Sequence, residues 1–396
     1  MVGIVCHSRF RFDGGGGQGD RHFFVMHQAG HWISKVATGI VFTLDTLSRP
    51  MKPAWLTAIF LAISTPAFPI IHPTDEIDSL LARYSGDVPG ASVLVIRDGK
   101  AIVSRSYGFS DLEKQVRATP ATNYRLASVT KQFTAAAVLL LAQDGRLSLD
   151  DPARRWLPSL PASVNSIRIR HLLAHTSGIV DYEDLMGPNT EVQIRDAGVL
   201  SLLESADSTY FTPGSSYKYS NSGYALLALI VERASGKPFA TFLDERIFKP
   251  LGMNHTVAFV DGVSTVSNRA FGYTMRDSAW VRKDQSSTSA VLGDGGIYSS
   301  IDDLAKWDAA LYDSRLLNDE SRRVAFSAQT PTSNPDIGYG FGWRITGETL
   351  WHSGETSGFR NVIVRYPARR LTVVILTNRD TPPPYETARA IAGRFL

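Results

Sequence analysis

From residue 71 onward the apolar positions recur with two periods, and the switches between them outline the architecture. Ala91-Ser-Val-Leu-Val-Ile-Arg97 and Ala101-Ile-Val-Ser-Arg-Ser-Tyr-Gly108 read as strands joined by Asp98-Gly99, a dipeptide suited to a tight hairpin turn. An amphipathic helix is predicted before them, over Asp75–Arg83. After them helical spacing dominates, over Ser128–Gln143, Ile169–Ala174, Val192–Glu204, Gly223–Ala234, Phe239–Ile247 and Ser300–Tyr312. Each stretch is bounded by Gly, Pro or a short polar cap, and Ser300-Ile-Asp-Asp303 has the form of a capping arrangement. Strand patterns return over Gly340–Thr346, Glu348–His352, Asn361–Arg365 and Leu371–Thr377, and a last helix runs from Tyr385 to Phe395.

Strands at both ends with helices between predict a two-lobed α/β (α+β) fold. An antiparallel sheet is assembled from both chain ends and flanked by helices, and a mostly helical lobe is inserted. The sheet lobe is expected over residues 72–125 and 330–396, the helical lobe over 126–329. No internal repeat or long low-complexity linker appears after residue 72.

The start of the chain reads differently. Residues 1–50, with Gly14-Gly-Gly-Gly17 and scattered His and Phe, carry no sustained period. Met51-Lys52 is a short positive region, Ala54–Ile63 an apolar run and Ser64-Thr-Pro-Ala67 a small-residue exit, the layout of a secretory signal peptide. The expectation is therefore that residues 1–50 are an over-long start, 51–67 a leader, and 72–396 a periplasmic or secreted domain. The apolar run falls short of the roughly twenty residues of a membrane span, so no stable span is expected in the mature chain. A genuine extension with residues 53–71 as a signal anchor is the alternative.

That division alters the charge. The full chain has 41 Lys/Arg and 38 Asp/Glu; removing the six and three in residues 1–67 leaves 35 of each. A formally neutral domain lacks the basic excess that nucleic-acid binding would want. The only cysteine, Cys6, precedes the leader, so the mature chain has no disulfide, thiolate nucleophile or Cys-based metal site.

Candidate chemistry begins at Ser128-Val-Thr-Lys131, at the mouth of a long apolar helix. Three residues advance a helix by about 4.5 Å and return nearly to the same face, so the amine can reach the hydroxyl. Serine needs such a neighbour, because its free hydroxyl is a poor nucleophile. In a first helical turn, unpaired N–H groups and the helix dipole also favour developing negative charge. The spacing recurs at Ser215-Ser-Tyr-Lys218, but Pro213-Gly214 puts that copy in a turn, where no shared face follows. For Ser128 by itself, a helix cap followed by a solvated lysine remains the plain alternative. Tyr219-Ser220-Asn221 sits on a loop before the next helix, offering a phenol to relay a proton and an amide to orient a carbonyl. His352-Ser353-Gly354 ends a strand.

Taken in that order, the three motifs resemble the serine β-lactamase and penicillin-binding-protein superfamily. The similarity is to the branch with class C β-lactamases, D-alanyl-D-alanine carboxypeptidases, D-aminopeptidases and esterases, and covers residues 75–396. His171-Leu-Leu-Ala-His-Thr-Ser-Gly-Ile179, Pro250-Leu-Gly-Met253, Gly293-Asp-Gly-Gly-Ile297 and Gly358-Phe359 support it. The resemblance implies a β-lactamase-like fold, Ser128 as acylated nucleophile, and Lys131 and Tyr219 as the base and proton-relay pair. Which of the two takes the first proton is left open. It further implies Asn221, His352, Ser353 and Gly354 as substrate-binding groups. The backbone N–H groups of Ser128 and Glu355 would form the oxyanion hole, whose donors contribute about 100–1000-fold each. No cofactor or metal is implied.

One departure bears on substrate. Lactam-hydrolysing members carry Lys-Thr-Gly where this chain has His352-Ser353-Gly354. A histidine of ordinary pKa, near 6.5, is only about a quarter protonated at pH 7, so demand for an anionic substrate is expected to weaken, with a pH dependence set by His352. No counterpart of the separate deacylating Glu of class A enzymes is evident, so Tyr219 or the substrate itself is expected to assist water. The expected function is an exported serine hydrolase acting on small-molecule or peptide substrates through ester or peptide/amide bonds, β-lactams and D-amino-acid peptides included. The alternative is a penicillin-binding sensor that acylates and stalls.

Other motifs carry less. His171-Leu-Leu-Ala-His175 has zinc-helix spacing, but Leu172 stands where the catalytic Glu of such helices belongs. Gly293-Asp-Gly-Gly296 fits neither phosphate-loop pattern and reads as a cleft-wall turn. Ser177 has no base at fixed spacing, and no Gly-x-Ser-x-Gly elbow occurs. Tyr339-Gly-Phe-Gly-Trp343 reads as a strand packed on the core.

Overall fold

Strands β1 (Ala91–Arg97) and β2 (Lys100–Tyr107) form the expected hairpin, and both of its turn residues have positive φ, 51° at Asp98 and 76° at Gly99. The computed structural model describes residues 73–187 and 190–396, so the expected leader at 51–67 and the segment before it lie outside the described residues. Near the other end come β3 (Thr330–Pro331), β4 (Gly338–Tyr339), β5 (Arg344–Thr346), β6 (Thr349–Thr356), β7 (Phe359–Tyr366) and β8 (Leu371–Thr377). Together they make one eight-stranded antiparallel sheet in the order β3-β4-β5-β6-β7-β8-β1-β2. Sequence-distant strands meet near one edge of it, where Ala91 pairs with Thr377 and Arg97 with Leu371.

The twofold period of strands sorts the central side chains onto two faces. Val93, Val95, Val362, Val364, Val373 and Ile375 pack with Ile77, Leu81, Ala388 and Ile391 of the terminal helical segments. Leu94, Ile96, Ile363, Val374 and Leu376 join the larger core of the inserted helices. That second core surrounds α2 (Lys131–Gln143) and α3 (Asn221–Ser235), both nearly continuous apolar helices. Among the described residues, no helix is long and apolar enough to cross a membrane.

A third helix, α4 (Ile301–Ala310), is pinned to the sheet by charge. Ser300 caps it as expected, accepting the Asp303 N–H at 3.2 Å. On its buried face Asp308 accepts from Arg365 Nε at 2.6 Å and from Thr372 Oγ1 at 2.8 Å. The Arg365 and Asp308 side chains are 1% and 2% exposed.

Three expectations are corrected. The helix expected from Val192 begins at Asp196, because Ile194 N–H is drawn to Ser287 O at 2.8 Å and Arg195 bridges Ala290. The strand expected over Gly340–Thr346 is interrupted by a turn in which Gly340 N–H reaches Trp343 O at 2.8 Å. The strand expected to end at His352 continues to Thr356, since Ser353, Gly354 and Glu355 remain paired with Val362, Asn361 and Arg360.

Candidate active site

The turn that carries Ser128 is tighter than a first helical turn. Ala127–Thr130 form a 3-10 segment, and α2 begins only at Lys131. Ala127 has φ 49°, a left-handed conformation that costs a non-glycine residue about 1–3 kcal/mol. The surroundings that hold it set the position of half-buried Ser128.

Lys131 is fully buried. Its Nζ lies 3.0 Å from Ser128 Oγ, 2.8 Å from Asn221 Oδ1 and 3.0 Å from the Asp294 carbonyl oxygen. Three acceptors match the three N–H bonds of an ammonium. In the neutral amine, Asn221 and Asp294 can take the two remaining N–H bonds and leave the lone pair facing the Ser128 hydroxyl.

Asn221 was expected on a loop and instead opens α3. Asp181 explains the start: its Oδ2 accepts the Asn221 N–H at 2.5 Å, while its Oδ1 caps the short helix Tyr182–Leu185 by accepting from Glu183 N–H at 3.1 Å. The Asn221 amide bridges two charges, with Oδ1 toward Lys131 and Nδ2 donating to Glu183 Oε1 at 3.0 Å.

The Tyr219 ring centroid lies 4.9 Å from Lys131 Nζ. Its hydroxyl makes no hydrogen bond to Ser128 or Lys131 among the described residues. The ring stacks on buried His175 at 4.2 Å between centroids, and His175 Nδ1 accepts the Ser220 N–H at 3.2 Å. His171 Nδ1 instead accepts the Arg168 N–H at 3.3 Å, so the two histidines serve separate backbone donors.

His352 departs from the expectation. It is 1% exposed, with Nε2 3.0 Å from the Tyr339 hydroxyl and Nδ1 2.6 Å from the Ser353 carbonyl oxygen. Burial, reinforced by the Arg344 and Lys131 charges, holds its pKa well below the ordinary imidazole value. His352 is thus a buried, neutral residue near pH 7 rather than a charged group facing substrate, and the pH dependence expected from it does not follow.

Gly354 is also buried, and its role is spatial. A Cβ there would meet the Leu126 carbonyl oxygen at 2.0 Å, so only glycine lets β6 pass this close to the Ser128 turn. Ser353 is half-buried on the same strand, and the next residues, Glu355 and Thr356, reach the cleft.

Ser128, Asn221, Tyr182, Glu183, Asp294, Glu355 and Arg125 line one cleft. Four of these, Arg125, Tyr182, Glu183 and Asp294, are residues that sequence reasoning missed. Tyr182 donates to Asp294 Oδ2 at 3.0 Å. Burial pushes the Asp294 carboxyl up to about 7 against the pull of Lys131, with Asp196 adding to the rise. Glu183 is also raised, by desolvation first and then by the Asp181 charge. The Gly293-Asp-Gly-Gly296 motif held the signal for Asp294, whereas Asp181-Tyr-Glu-Asp184 gave only a short acidic run. Arg344 was missed too. Its guanidinium carbon lies 5.5 Å from the Tyr219 ring centroid and 5.4 Å from that of Trp351, with no carboxylate or carbonyl partner among the described residues.

The remaining candidates stand apart. Ser215 Oγ donates to Thr212 O at 2.7 Å, and Lys218 Nζ sits 3.2 Å from the Tyr210 ring centroid. Ser177 is buried, accepting the Ile179 N–H at 3.2 Å. Tyr339, Phe341 and Trp343 are core residues.

Known proteins share this arrangement of sheet and helices. The chain is 32% identical over 324 residues to penicillin-binding protein 4* of Bacillus subtilis (strain 168), covering 77% of this chain and 71% of that protein. It is 30% identical over 323 residues to the flp protein of Staphylococcus aureus (strain MW2), spanning 77% of this chain and 63% of that protein. The octameric penicillin-binding protein homologue of Pyrococcus abyssi superposes with a TM-score of 0.72 at 27% identity, over 82% of this chain and 76% of that one. Residues 75–395 match the Beta-lactamase family as a whole. With the match spanning the eight-stranded sheet, the inserted helices and the Ser128 cleft, the chain belongs to the beta-lactamase family of serine hydrolases and penicillin-binding proteins.

Proposed function

We propose that this chain hydrolyses ester or amide bonds, β-lactams and D-amino-acid peptides among them, through a covalent acyl-enzyme on Ser128. The observation that carries the reading is the 3.0 Å contact between Lys131 Nζ and Ser128 Oγ, with Lys131 held from behind by Asn221 and Asp294. Ser128 Oγ attacks the substrate carbonyl as its proton passes to Lys131. The backbone N–H groups of Ser128 and Glu355 stabilise the oxyanion. Tyr219 gives the leaving group its proton and regains one from solvent. A leader at 51–67 would deliver the enzyme to the periplasm or the medium.

The test is intact mass spectrometry after mixing the protein with an activated ester and, separately, with a penicillin. A transient acyl adduct that maps to Ser128 and decays with product release is the expected result. A persistent adduct without product would identify a sensor, and an adduct elsewhere would overturn the assignment.

Arg344 points to substrates with a carboxylate near the scissile bond, since a guanidinium beside the Tyr219 and Trp351 rings with no hydrogen-bond partner among the described residues can offer its donors to a planar anion. Arg344→Ala is expected to raise KM about 10–100-fold for carboxylate-bearing substrates, the loss of one charge-assisted pair, and to spare neutral esters. Equal losses on both classes would show a structural role instead.

A further inference from the structure

Hydrolysis of an acyl-enzyme needs a proton acceptor for the attacking water. Lys131 is committed elsewhere: it took the Ser128 proton and must return it to Oγ when the ester bond breaks. Tyr219 has by then regained its proton from solvent, and its hydroxyl makes no hydrogen bond to Ser128 or Lys131 among the described residues, its ring being stacked on His175. Three carboxyl groups share the Ser128 cleft. Asp294 is buried and takes the Tyr182 hydroxyl at 3.0 Å. Glu355 lies at the proposed oxyanion position, where a carboxylate base would oppose the developing charge, and Arg360 is 3.8 Å away.

Glu183 differs from both. It is exposed to solvent at the cleft, Asn221 Nδ2 holds its Oε1 at 3.0 Å, and its Oε2 has no partner among the described residues. The neighbouring Asp181 cannot compete, since both of its oxygens accept backbone N–H groups. A carboxylate only accepts, so Glu183 also fixes the Asn221 amide with its oxygen toward Lys131. Desolvation and the Asp181 charge raise the basicity of Glu183 above that of an ordinary glutamate.

Resting on the hydrolase reading above, we infer that Glu183 is the base of deacylation, taking a proton from the water that attacks the acyl carbon while Asn221 holds its carboxylate in the cleft. The water oxygen bonds to the acyl carbon as one proton passes to Glu183. The tetrahedral adduct then expels Ser128 Oγ, which recovers its proton from the Lys131 ammonium. Glu183 releases its proton to solvent, and the product leaves as a carboxylic acid.

The experiment is pre-steady-state kinetics with 4-nitrophenyl acetate on wild type, Glu183→Gln and Glu183→Asp, with intact mass in parallel. Gln keeps an oxygen for Asn221 Nδ2 but removes the basicity. For Glu183→Gln the nitrophenol burst should stay within about 3-fold of wild type, while deacylation slows about 100-fold or more, within the span of general-base catalysis. The Ser128 adduct should then accumulate, and hydroxylamine, a stronger nucleophile than water, should discharge it. Glu183→Asp should recover part of the deacylation rate. Burst and turnover falling together, or neither changing, would overturn the role of Glu183. Wild type with neither burst nor adduct would overturn the hydrolase reading and this role with it.

Discussion

Ser128→Ala is expected to abolish the acyl adduct, and Lys131→Met to lower kcat/KM for an activated ester by about 1000-fold or more without loss of the fold. The two expectations share one cause. Without the Lys131 amine, Ser128 keeps its proton at neutral pH, and no other basic nitrogen is hydrogen-bonded to Oγ among the described residues. Stability should move the other way. Lys131 is fully buried on an apolar helix, and Met matches its length without a polar amine to desolvate. Asn221 and Asp294 lose one donor each, a cost of about 1 kcal/mol per hydrogen bond that removal of the buried amine offsets. The melting temperature of Lys131→Met is therefore expected to equal or exceed that of wild type. A variant that stays active would contradict the assignment of Lys131 as a base, and one that fails to fold would contradict the stability expectation.

The second large effect concerns stability. Asp308→Ala is expected to cost about 3–5 kcal/mol, because it strands the Arg365 guanidinium in a site where the pair is almost inaccessible to water. Thr372 Oγ1 loses an acceptor at the same time. Denaturant titration measures the loss as a lower midpoint at unchanged slope. Asp308→Leu combined with Arg365→Met removes both charges and should recover most of the stability. If the single variant loses less than about 1 kcal/mol, the pair does not hold α4 to the sheet.

Local signals in the sequence were the dependable ones. Asp98-Gly99 predicts its hairpin because a two-residue turn is specified by its own backbone preferences. Ser128 and Lys131 are legible together because three residues fix their relation. The remainder of the site is not local: Asn221 and Asp294 reach Lys131 from 90 and 163 positions away. Ser353-Gly354 looks like the end of a strand, yet pairing with β7 carries the strand onward. Strands as short as Tyr124–Arg125 and Val257–Ala258 hold too few residues to show a period. His352 was misjudged because its protonation depends on burial, which sequence does not specify. Arg344 escaped notice for a similar reason, since its lack of an acidic partner is a fact of packing.

The pairing of β1 with β8 has a consequence for how the protein is made. The strand at residue 91 has no neighbour on that side until residues 371–377 exist, so the ribosome must add about 280 residues beyond it before the sheet can close. A nascent chain that has just passed residue 300 already carries Ser128, Lys131, Asn221 and Asp294, but lacks β6, the wall opposite them. Such widely separated pairing delays folding, and catalysis should switch on only after residue 377 has been made.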